Sequence, residues 1–273
     1  MKYLARTATG RPLLGDETGF VPLDAAHPDC GSVREALPRA AAGTLAAITD
    51  ASATPTPRSG IAFGPPLERF GTCWGIGLNY ADHAADLAAD HPDEPASFLR
   101  PERALTGPGG LIQLPPPEQS ERVTAEGELA VLVGRTCRGV DTTDVAEVVA
   151  GYLPVIDVTA EDVLQRNPRF LTRAKSYDTF LVVGPTIAVP DDSFDLGRRQ
   201  VRTVKNGQVE AENRVENMHF SPHELVAFHS HVATLEPGDL LSTGTPGATP
   251  IEPGDAVQAV VDGIGRVDAT VTR

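Results

Sequence analysis

Two glutamates separated by one residue are the first indication of chemistry in this chain. Residues 123–133 read Val-Thr-Ala-Glu-Gly-Glu-Leu-Ala-Val-Leu-Val, and this apolar run predicts a β-strand. Side chains alternate along a strand, so Glu126 and Glu128 project from the same face. Two neighbouring carboxylates in apolar surroundings repel each other, and a divalent cation is the simplest group that balances them. The alternative is a solvated edge strand, because acidic residues are abundant in the chain.

Two further charged residues stand out from their surroundings. Asp157 lies at the end of a predicted apolar strand, where it would either cap a turn or helix or complete a site of three carboxylates. Three such oxygen donors favour Mg²⁺, Mn²⁺ or Ca²⁺ over zinc, which prefers histidine and cysteine. Lys175 is one of three lysines in a chain that otherwise uses arginine, so a compact ammonium is indicated there. The alternative for Lys175 is an ordinary surface position.

Two more segments are candidates for contacts with a substrate. His83 and Asp86 are three residues apart and would share one face of a helical turn. A carboxylate beside an imidazole raises its basicity, as a general base requires, although a capped surface helix is the alternative. Residues 243–247, Thr-Gly-Thr-Pro-Gly, form a small-residue loop that can bring backbone N–H groups and a hydroxyl close to a ligand. As a motif, this loop is only a turn.

Composition excludes several classes of function. The chain has 273 residues and a formal net charge of −14, which argues against a nucleic acid or a membrane surface as partner. Its three cysteines are too few and too scattered for a disulfide framework or a C-x-x-C metal site. No apolar run approaches a membrane span, and the N-terminus has no signal-peptide pattern, so we expect a cytoplasmic protein. The G-x-S-x-G, Walker A and H-E-x-x-H motifs are absent.

Two parts of the chain are expected to position these residues. We place a small N-terminal α/β domain and its linker at 1–66 and a catalytic domain at 67–273. The first part contains a helix that opens at Ser32 with a capping-box pattern and continues at helical spacing to Ile48. The linker is rich in Ser, Thr, Pro and Gly from Ala51 onwards.

The second part is strand-rich and predicts an α+β fold with a mixed β-sheet body. Helices are predicted only at Asp141–Val149 and from Ser221, where Ser-Pro-His-Glu is a capping box with proline at the first helical position. Strands are predicted near residues 73–77, 111–114, 123–133, 150–158, 180–189, 199–205, 239–242, 256–261 and 266–271.

The order and spacing of these segments resemble the fumarylacetoacetate hydrolase family over about residues 67–273. Asp157 lies 157 − 128 = 29 positions after Glu128, and Lys175 lies 175 − 157 = 18 positions after Asp157. The segments that carry the resemblance are Gly77-Leu78-Asn79-Tyr80-Ala81-Asp82-His83, Leu105-Thr106-Gly107-Pro108, Glu126-Gly127-Glu128-Leu129, Asp157-Val158-Thr159-Ala160, Arg173-Ala174-Lys175, Leu235-Glu236-Pro237-Gly238-Asp239 and Thr243-Gly244-Thr245-Pro246.

The resemblance implies a mixed β-sandwich roll with a small N-terminal domain, usually in a homodimer. It implies that Glu126, Glu128 and Asp157 bind Mg²⁺ or Mn²⁺, with Ca²⁺ able to replace them in crystals. It implies a small 2-oxo or 2,4-dioxo acid as substrate and an enolate stabilised by the cation and Lys175. A hydrolase of this kind would use His83, oriented by Asp86, to activate water. The implied substrate contacts are Asn79, Tyr80, Arg100, Gly244 and Thr245.

Several positions depart from the family pattern and keep more than one function open. The family commonly has Glu where this chain has Asp86, and Lys where it has Arg100. Glu161 and Leu164 replace the Arg and Gln of better-known members, which would change what the far end of the substrate can be. The leading hypothesis is C–C hydrolysis of an acylpyruvate. The alternatives are decarboxylation or isomerisation of a 2-oxo acid at the same site, and a non-catalytic protein that binds a small acid.

Overall fold

The structure, a computed structural model, describes residues 1–80, 92–191 and 193–273. Within these ranges the chain is rich in strands, which form two sheets of 12 and 5 strands, while the helices are short. The predicted strand-rich α+β class is therefore confirmed. The predicted helix at Ser221 is also present, with the expected capping box between Ser221 and Glu224.

The larger sheet contains the residues that the sequence singled out. Its main path runs β3-β2-β1-β11-β9-β8-β14-β4-β5, while β10 pairs with β6 and β9, and β15 pairs with β8. The strands are β1 (Lys2–Arg6), β2 (Pro12–Asp16), β3 (Gly19–Pro22), β4 (Cys73–Gly77), β5 (Ala96–Arg100), β6 (Leu105–Thr106), β8 (Val123–Val133), β9 (Val149–Ala160), β10 (Leu181–Val183), β11 (Thr186–Val189), β14 (Leu240–Ser242) and β15 (Thr249–Pro250).

The smaller sheet packs against one face of the β8–β9 pair. Its strand order is β13-β12-β16-β17-β7. A shared apolar core, which includes Ala125, Val158 and Ala259, joins the two sheets. The strands are β7 (Gly110–Gln113), β12 (Gln200–Lys205), β13 (Gln208–Arg214), β16 (Ala256–Val261) and β17 (Gly265–Thr272).

Helices and 3₁₀ turns cover the outside of the sheets. The α-helices are α1 (Leu23–Ala26), α2 (Val33–Ala41), α3 (Glu161–Arg166), α4 (Leu171–Lys175) and α5 (Pro222–Val232). The 3₁₀ turns are Ile48–Asp50, Arg58–Gly60, Glu102–Ala104, Thr142–Glu147, Pro168–Phe170 and Val215–Asn217. No helix within the described ranges is long and apolar enough to cross a membrane.

Two of the predicted helices are wrong in extent or type. Helix α2 begins after Ser32 as expected, but it ends at Ala41 and does not reach Ile48. Gly43 has φ +67°, which an L side chain rarely adopts, so the chain leaves the helix there. The segment Asp141–Val149 contains a 3₁₀ turn at Thr142–Glu147, and Val149 already belongs to β9. The short apolar stretch at its end, Val148 and Val149, does not distinguish the end of a helix from the start of a buried strand.

The first 66 residues pack directly on the rest of the chain. Strand β1 pairs antiparallel with β11, so β1, β2 and β3 extend the larger sheet. Leu37 of α2 lies in the same buried core as Leu132 of β8 and Leu153 of β9. The proposed domain boundary near residue 66 stays a prediction.

Candidate active site

Three buried carboxylates meet across the β8–β9 ladder. Glu126 is the direct partner of Asp157, and Glu128 lies two residues further along on the same face. Glu126 is 6 % exposed, while Glu128 and Asp157 are each 1 % exposed. One potential ligand oxygen from each residue lies within 4.8 Å of the others. Strand β8 pairs with β9 on one side and with β14 and β15 on the other, so the solvated edge strand considered from the sequence is wrong.

Asp157 lies within a strand, so the alternative of a turn or helix cap is wrong. The sequence placed this residue at a strand end, but β9 continues to Ala160. Alternation along β9 then places Thr159 on the same face as Asp157, and the Thr159 hydroxyl donates to Glu126 Oε1 at 2.7 Å. The carboxylates are therefore held by a continuous ladder and by a hydroxyl next to them.

The glycine between the two glutamates lets the smaller sheet approach β8. A Cβ on Gly127 would lie 2.5 Å from the main-chain oxygen of Arg202 on β12. The Gly127 N–H donates to Thr203 Oγ1 at 2.7 Å. The Glu-Gly-Glu sequence thus places two carboxylates on one face of the strand and a closely packed backbone on the other.

Two cations neutralise part of this acidic cluster. Lys175 at the end of α4 places Nζ 2.8 Å from Glu126 Oε2 and 2.9 Å from Asp157 Oδ1. Arg100 at the end of β5 donates from Nη2 to Asp157 Oδ1 and from Nη1 to the main-chain oxygen of Lys175. Lys175 is buried, so the alternative of a surface lysine is wrong.

Burial and mutual repulsion shift the ionisation of this cluster. Burial and then the charge of Asp157 raise the pKa of Glu128 to about 8, although Ser242 and the Gly244 N–H donate hydrogen bonds to it. Burial alone would lower the pKa of the Lys175 ammonium, but the charges of Asp157 and Glu126 outweigh it and raise that pKa. Lys175 is therefore a protonated donor and not a base.

The donor set fits a hard divalent cation. All three candidate ligands offer carboxylate oxygens, which Mg²⁺ and Mn²⁺ prefer. Asp157 Oδ2 is buried and accepts no hydrogen bond from the described residues. When all groups are ionised, the three carboxylates exceed the Lys175 and Arg100 charges by one negative charge. A cation at this point would give Asp157 Oδ2 a partner and reverse that excess.

The loop predicted near the ligand lies beside the carboxylates. Gly244 has φ +94°, and a Cβ there would lie 2.9 Å from Asn79 Cβ, so glycine suits this position. The Thr245 hydroxyl lies 3.3 Å from the main-chain oxygen of Gly127 and 2.9 Å from that of Gly247. Contacts of this loop with substrate stay a prediction.

Asn79 and Tyr80 lie at the same end of the sheet. The Asn79 amide donates to the main-chain oxygens of Phe220 and Thr243 at 2.9 and 2.8 Å, and Asn79 Oδ1 accepts from the Phe220 N–H at 2.8 Å. Tyr80 is fully buried, and its hydroxyl has no hydrogen-bond partner among the described residues. Burial and then the charge of Glu128 raise the pKa of Tyr80. Asn79 thus fastens two loops, while His83 and Asp86 lie outside the described residues.

Glu161 and Leu164, which depart from the family pattern, have partners within the protein. Glu161 pairs with Arg122 through Oε2 and Nε at 2.8 Å, and Gln165 donates to its other carboxylate oxygen at 3.0 Å. Leu164 packs against the core between the two sheets. The acidic side chain of Glu161 is therefore balanced by Arg122.

Three residues of the site were not singled out from the sequence. Thr159, Ser242 and Phe98 lie next to Glu126, Glu128 and the two cations, respectively. The period-2 rule could have found two of them, since Thr159 follows Asp157 by two positions and Phe98 precedes Arg100 by two. Ser242 carries no such signal, because its contact depends on the pairing of β14 with β8.

Comparison with known proteins agrees with this arrangement. The family model described as fumarylacetoacetate (FAA) hydrolase C-terminal matches residues 72–272, which include all three carboxylates and both cations. The chain belongs to this family.

Members of the family with different names resemble the chain. A 4-hydroxyphenylacetate degradation bifunctional isomerase/decarboxylase of Salmonella dublin is 36 % identical over 203 residues, 74 % of this chain and 47 % of that protein. An uncharacterized protein of Archaeoglobus fulgidus is 39 % identical over 80 % of this chain and 84 % of its own. The crystal structure of maleylpyruvate hydrolase from Sphingobium sp. SYK-6, in complex with manganese (II) ion and pyruvate, is 28 % identical, with a TM-score of 0.81 and coverage of 99 % of this chain and 98 % of that one.

Two of these three relatives carry the names of enzymes, so the family supports catalytic activity for this chain. The family fold expected from the sequence is confirmed. The reaction type differs between a hydrolase and an isomerase/decarboxylase, so membership in the family does not fix it.

Proposed function

We propose that this protein is a divalent-metal-dependent hydrolase that cleaves a C–C bond of a 2,4-dioxo acid of the acylpyruvate type. The observation that carries the proposal is the buried contact of Lys175 Nζ with both Glu126 and Asp157, at 2.8 and 2.9 Å. It places a protonated donor beside three carboxylates that suit a divalent cation. Such a centre stabilises the anion that leaves when the C–C bond breaks.

Glu126, Glu128 and Asp157 would hold Mg²⁺ or Mn²⁺. When bound, the cation supplies a Lewis acid that stabilises negative charge at the 2-oxo oxygen of the substrate. The manganese ion in the maleylpyruvate hydrolase structure supports a divalent cation in this family.

Lys175 contributes a fixed positive charge. The charges of Asp157 and Glu126 raise the pKa of its ammonium, which would donate a hydrogen bond to the developing enolate oxygen. The low exposure of the site strengthens this interaction, because little water screens it. Thr245 and the Gly244 loop are proposed to hold the substrate carboxylate, on the grounds that they lie next to the carboxylate cluster.

Hydrolysis also requires a base, which we assign to His83 oriented by Asp86. His83 takes a proton from water, and the water oxygen attacks the 4-oxo carbon. The C3–C4 bond breaks, and its electron pair stays on the three-carbon fragment as the pyruvate enolate. Protonation at C3 gives pyruvate, and the other fragment leaves as a carboxylic acid.

The proposal is tested with a panel of acylpyruvates and oxaloacetate, assayed for pyruvate with and without EDTA. We expect release of pyruvate from an acylpyruvate, loss of activity in EDTA, and recovery on addition of Mn²⁺ or Mg²⁺. A purified, Mg²⁺-loaded protein that releases no pyruvate from any acylpyruvate would contradict hydrolysis.

A second candidate is decarboxylation or isomerisation of a 2-oxo acid at the same site. It is favoured by the described part of the site, where Lys175 and a divalent cation held by the three carboxylates would stabilise the enolate that these reactions also form. The isomerase/decarboxylase relative supports the same candidate function. The variant His83→Ala separates the two, because it should abolish hydrolysis and spare decarboxylation of oxaloacetate.

These arguments support a small acid substrate as the binding partner of the protein. The family's enzyme members favour catalysis over simple binding of a small acid. A homodimer in the cytoplasm stays a prediction, which sedimentation of the purified protein and fractionation of its host cell would test.

A further inference from the structure

Arg100 connects two parts of the carboxylate cluster. Its side chain is 1 % exposed, and Nη2 donates to Asp157 Oδ1. Nη1 donates to the main-chain oxygen of Lys175 at the end of α4. One guanidinium therefore joins a candidate metal ligand to the residue that carries the ammonium.

Both cations meet the same oxygen of Asp157. Lys175 Nζ lies 2.9 Å from Oδ1, which also accepts from Arg100. The other oxygen, Oδ2, is buried and has no hydrogen-bond partner among the described residues. Two donors on Oδ1 fix the rotation of the carboxylate and leave Oδ2 as the oxygen available to a cation.

An aromatic ring lies against both cations. The centre of the Phe98 ring is 5.3 Å from the guanidinium carbon of Arg100 and 5.3 Å from Lys175 Nζ. Phe98 pairs with Gly75 across β5 and β4, and a Cβ on Gly75 would lie 2.2 Å from Phe98 Cζ. The ring thus lies over the bare Gly75 backbone, where it restricts the positions that the two cations can take.

We propose that Arg100 is a positioning residue, which fixes Asp157 and Lys175 for binding of the divalent cation and does not contact the substrate. The resemblance implies a substrate contact for Arg100, but both terminal nitrogens donate to oxygens of the protein, and only the buried Nε has no hydrogen-bond partner among the described residues. This inference rests on the proposed function, because it assumes that the carboxylates bind a divalent cation.

In this chain the bridge depends on the geometry of the guanidinium. Its planar fork presents separate N–H groups to the Asp157 carboxylate and to the Lys175 carbonyl, which lie in different directions. A lysine ammonium keeps the charge but has only one nitrogen on a flexible stem. The variant Arg100→Lys therefore removes the bridge and keeps the charge.

The test is a titration of the metal-free protein with Mn²⁺ in the absence of substrate, followed by the EPR signal of free Mn²⁺. We expect Arg100→Lys to bind Mn²⁺ about 10–100-fold more weakly than the wild type. The control is Arg39→Lys, the same exchange at an ion pair with Asp29 in the N-terminal part, which should leave binding unchanged. With saturating Mn²⁺, Arg100→Lys should lower kcat and leave KM nearly unchanged.

The opposite pattern would overturn the proposal. If Arg100→Lys has an unchanged Mn²⁺ dissociation constant and a raised KM, Arg100 contacts the substrate and is not a positioning residue. Circular dichroism and thermal unfolding of the metal-free variant check that it folds. If it does not fold, Phe98→Leu is the second variant, since it removes the ring from both cations; it must weaken Mn²⁺ binding, and an unchanged dissociation constant would overturn the proposal.

Failure of this inference is distinct from failure of the proposed reaction. If the wild-type protein binds Mn²⁺ but turns over no 2-oxo acid, the proposed reaction is wrong. The Mn²⁺ titration then still decides the role of Arg100. A wild-type protein that binds no Mn²⁺ contradicts both.

Discussion

Glu126 lies directly opposite Asp157 in the antiparallel β8–β9 ladder, and both side chains accept a hydrogen bond from the same ammonium. A pair of this kind would be costly in a protein interior without the lysine, because two buried carboxylates repel each other and lose their hydration. The position of Lys175 therefore affects both the stability of the metal-free protein and its affinity for a cation.

Lys175→Met should separate these two effects. Without the ammonium, we expect the metal-free protein to lose about 3–5 kcal/mol of unfolding free energy, the usual cost of breaking a buried ion pair. Added Mn²⁺ should then raise the melting temperature more in the variant than in the wild type, because the cation takes over the neutralisation. Lys205→Met, which removes a surface contact to the Pro250 carbonyl, is the control. An equal Mn²⁺ effect in variant and wild type would contradict the prediction.

Gly127→Ala should be destabilising, although the change is small. The new Cβ would lie 2.5 Å from the Arg202 main-chain oxygen, so β12 or β8 must shift. We expect a loss of about 1–3 kcal/mol in urea unfolding, as for other overpacked cores. Gly60→Ala is the matched control, because its nearest neighbour would be Thr56 Cγ2 at 3.5 Å, an ordinary contact. Equal stabilities of the two variants would show that the sheets separate easily at Gly127.

Thr159→Val should weaken cation binding without a large change in shape. The variant loses the hydroxyl that donates to Glu126 Oε1 at 2.7 Å, and we expect Mn²⁺ binding to weaken about 10-fold by calorimetric titration. Thr124→Val is a close control, since Thr124 pairs directly with Thr159 and its buried hydroxyl has no partner among the described residues. Equal Mn²⁺ affinity of the two variants would mean that the Thr159 hydroxyl does not orient Glu126.

His229 should contribute a stability that rises with pH around the ordinary pKa of histidine. Burial lowers the pKa of His229, whose ring bonds Ser97 Oγ at 2.7 Å and the Leu225 carbonyl at 2.6 Å. Below pH 6.5 the unfolded chain therefore binds a proton that folded His229 resists, and the contribution of His229 to stability falls as the pH is lowered. The free energy of unfolding, measured with urea from pH 5.5 to 7.5, should have a less positive slope against pH in His229→Gln than in the wild type. A His229→Gln slope equal to that of the wild type would exclude His229 as the source of this contribution.

The site could be predicted from the sequence where its geometry depends on one strand. Period-2 alternation places Glu126 and Glu128 on one face, and β8 has the predicted bounds. The same rule does not reveal that β8 is a central strand, because that depends on its pairing with β9 and β14.

Contacts between distant segments could not be predicted. Arg100 and Lys175 are 75 residues apart, and their contact depends on how α4 packs beside β5. The extent of α2 was also wrong, because apolar spacing continues past Gly43, where the backbone leaves the helix. Local pattern describes single elements, whereas the bridge between the two cations is a property of the tertiary packing.

The pairing of β1 with β11 extends the larger sheet beyond the residues that match the family model. The family match begins at residue 72, but β11 has β1 as its neighbour on one side. Removal of the first 66 residues would leave β11 with unpaired N–H and carbonyl groups and would uncover the core that Leu37 closes. We therefore expect residues 67–273 alone to self-associate through the new sheet edge. The boundary of the family match need not be the boundary of a stretch that folds independently.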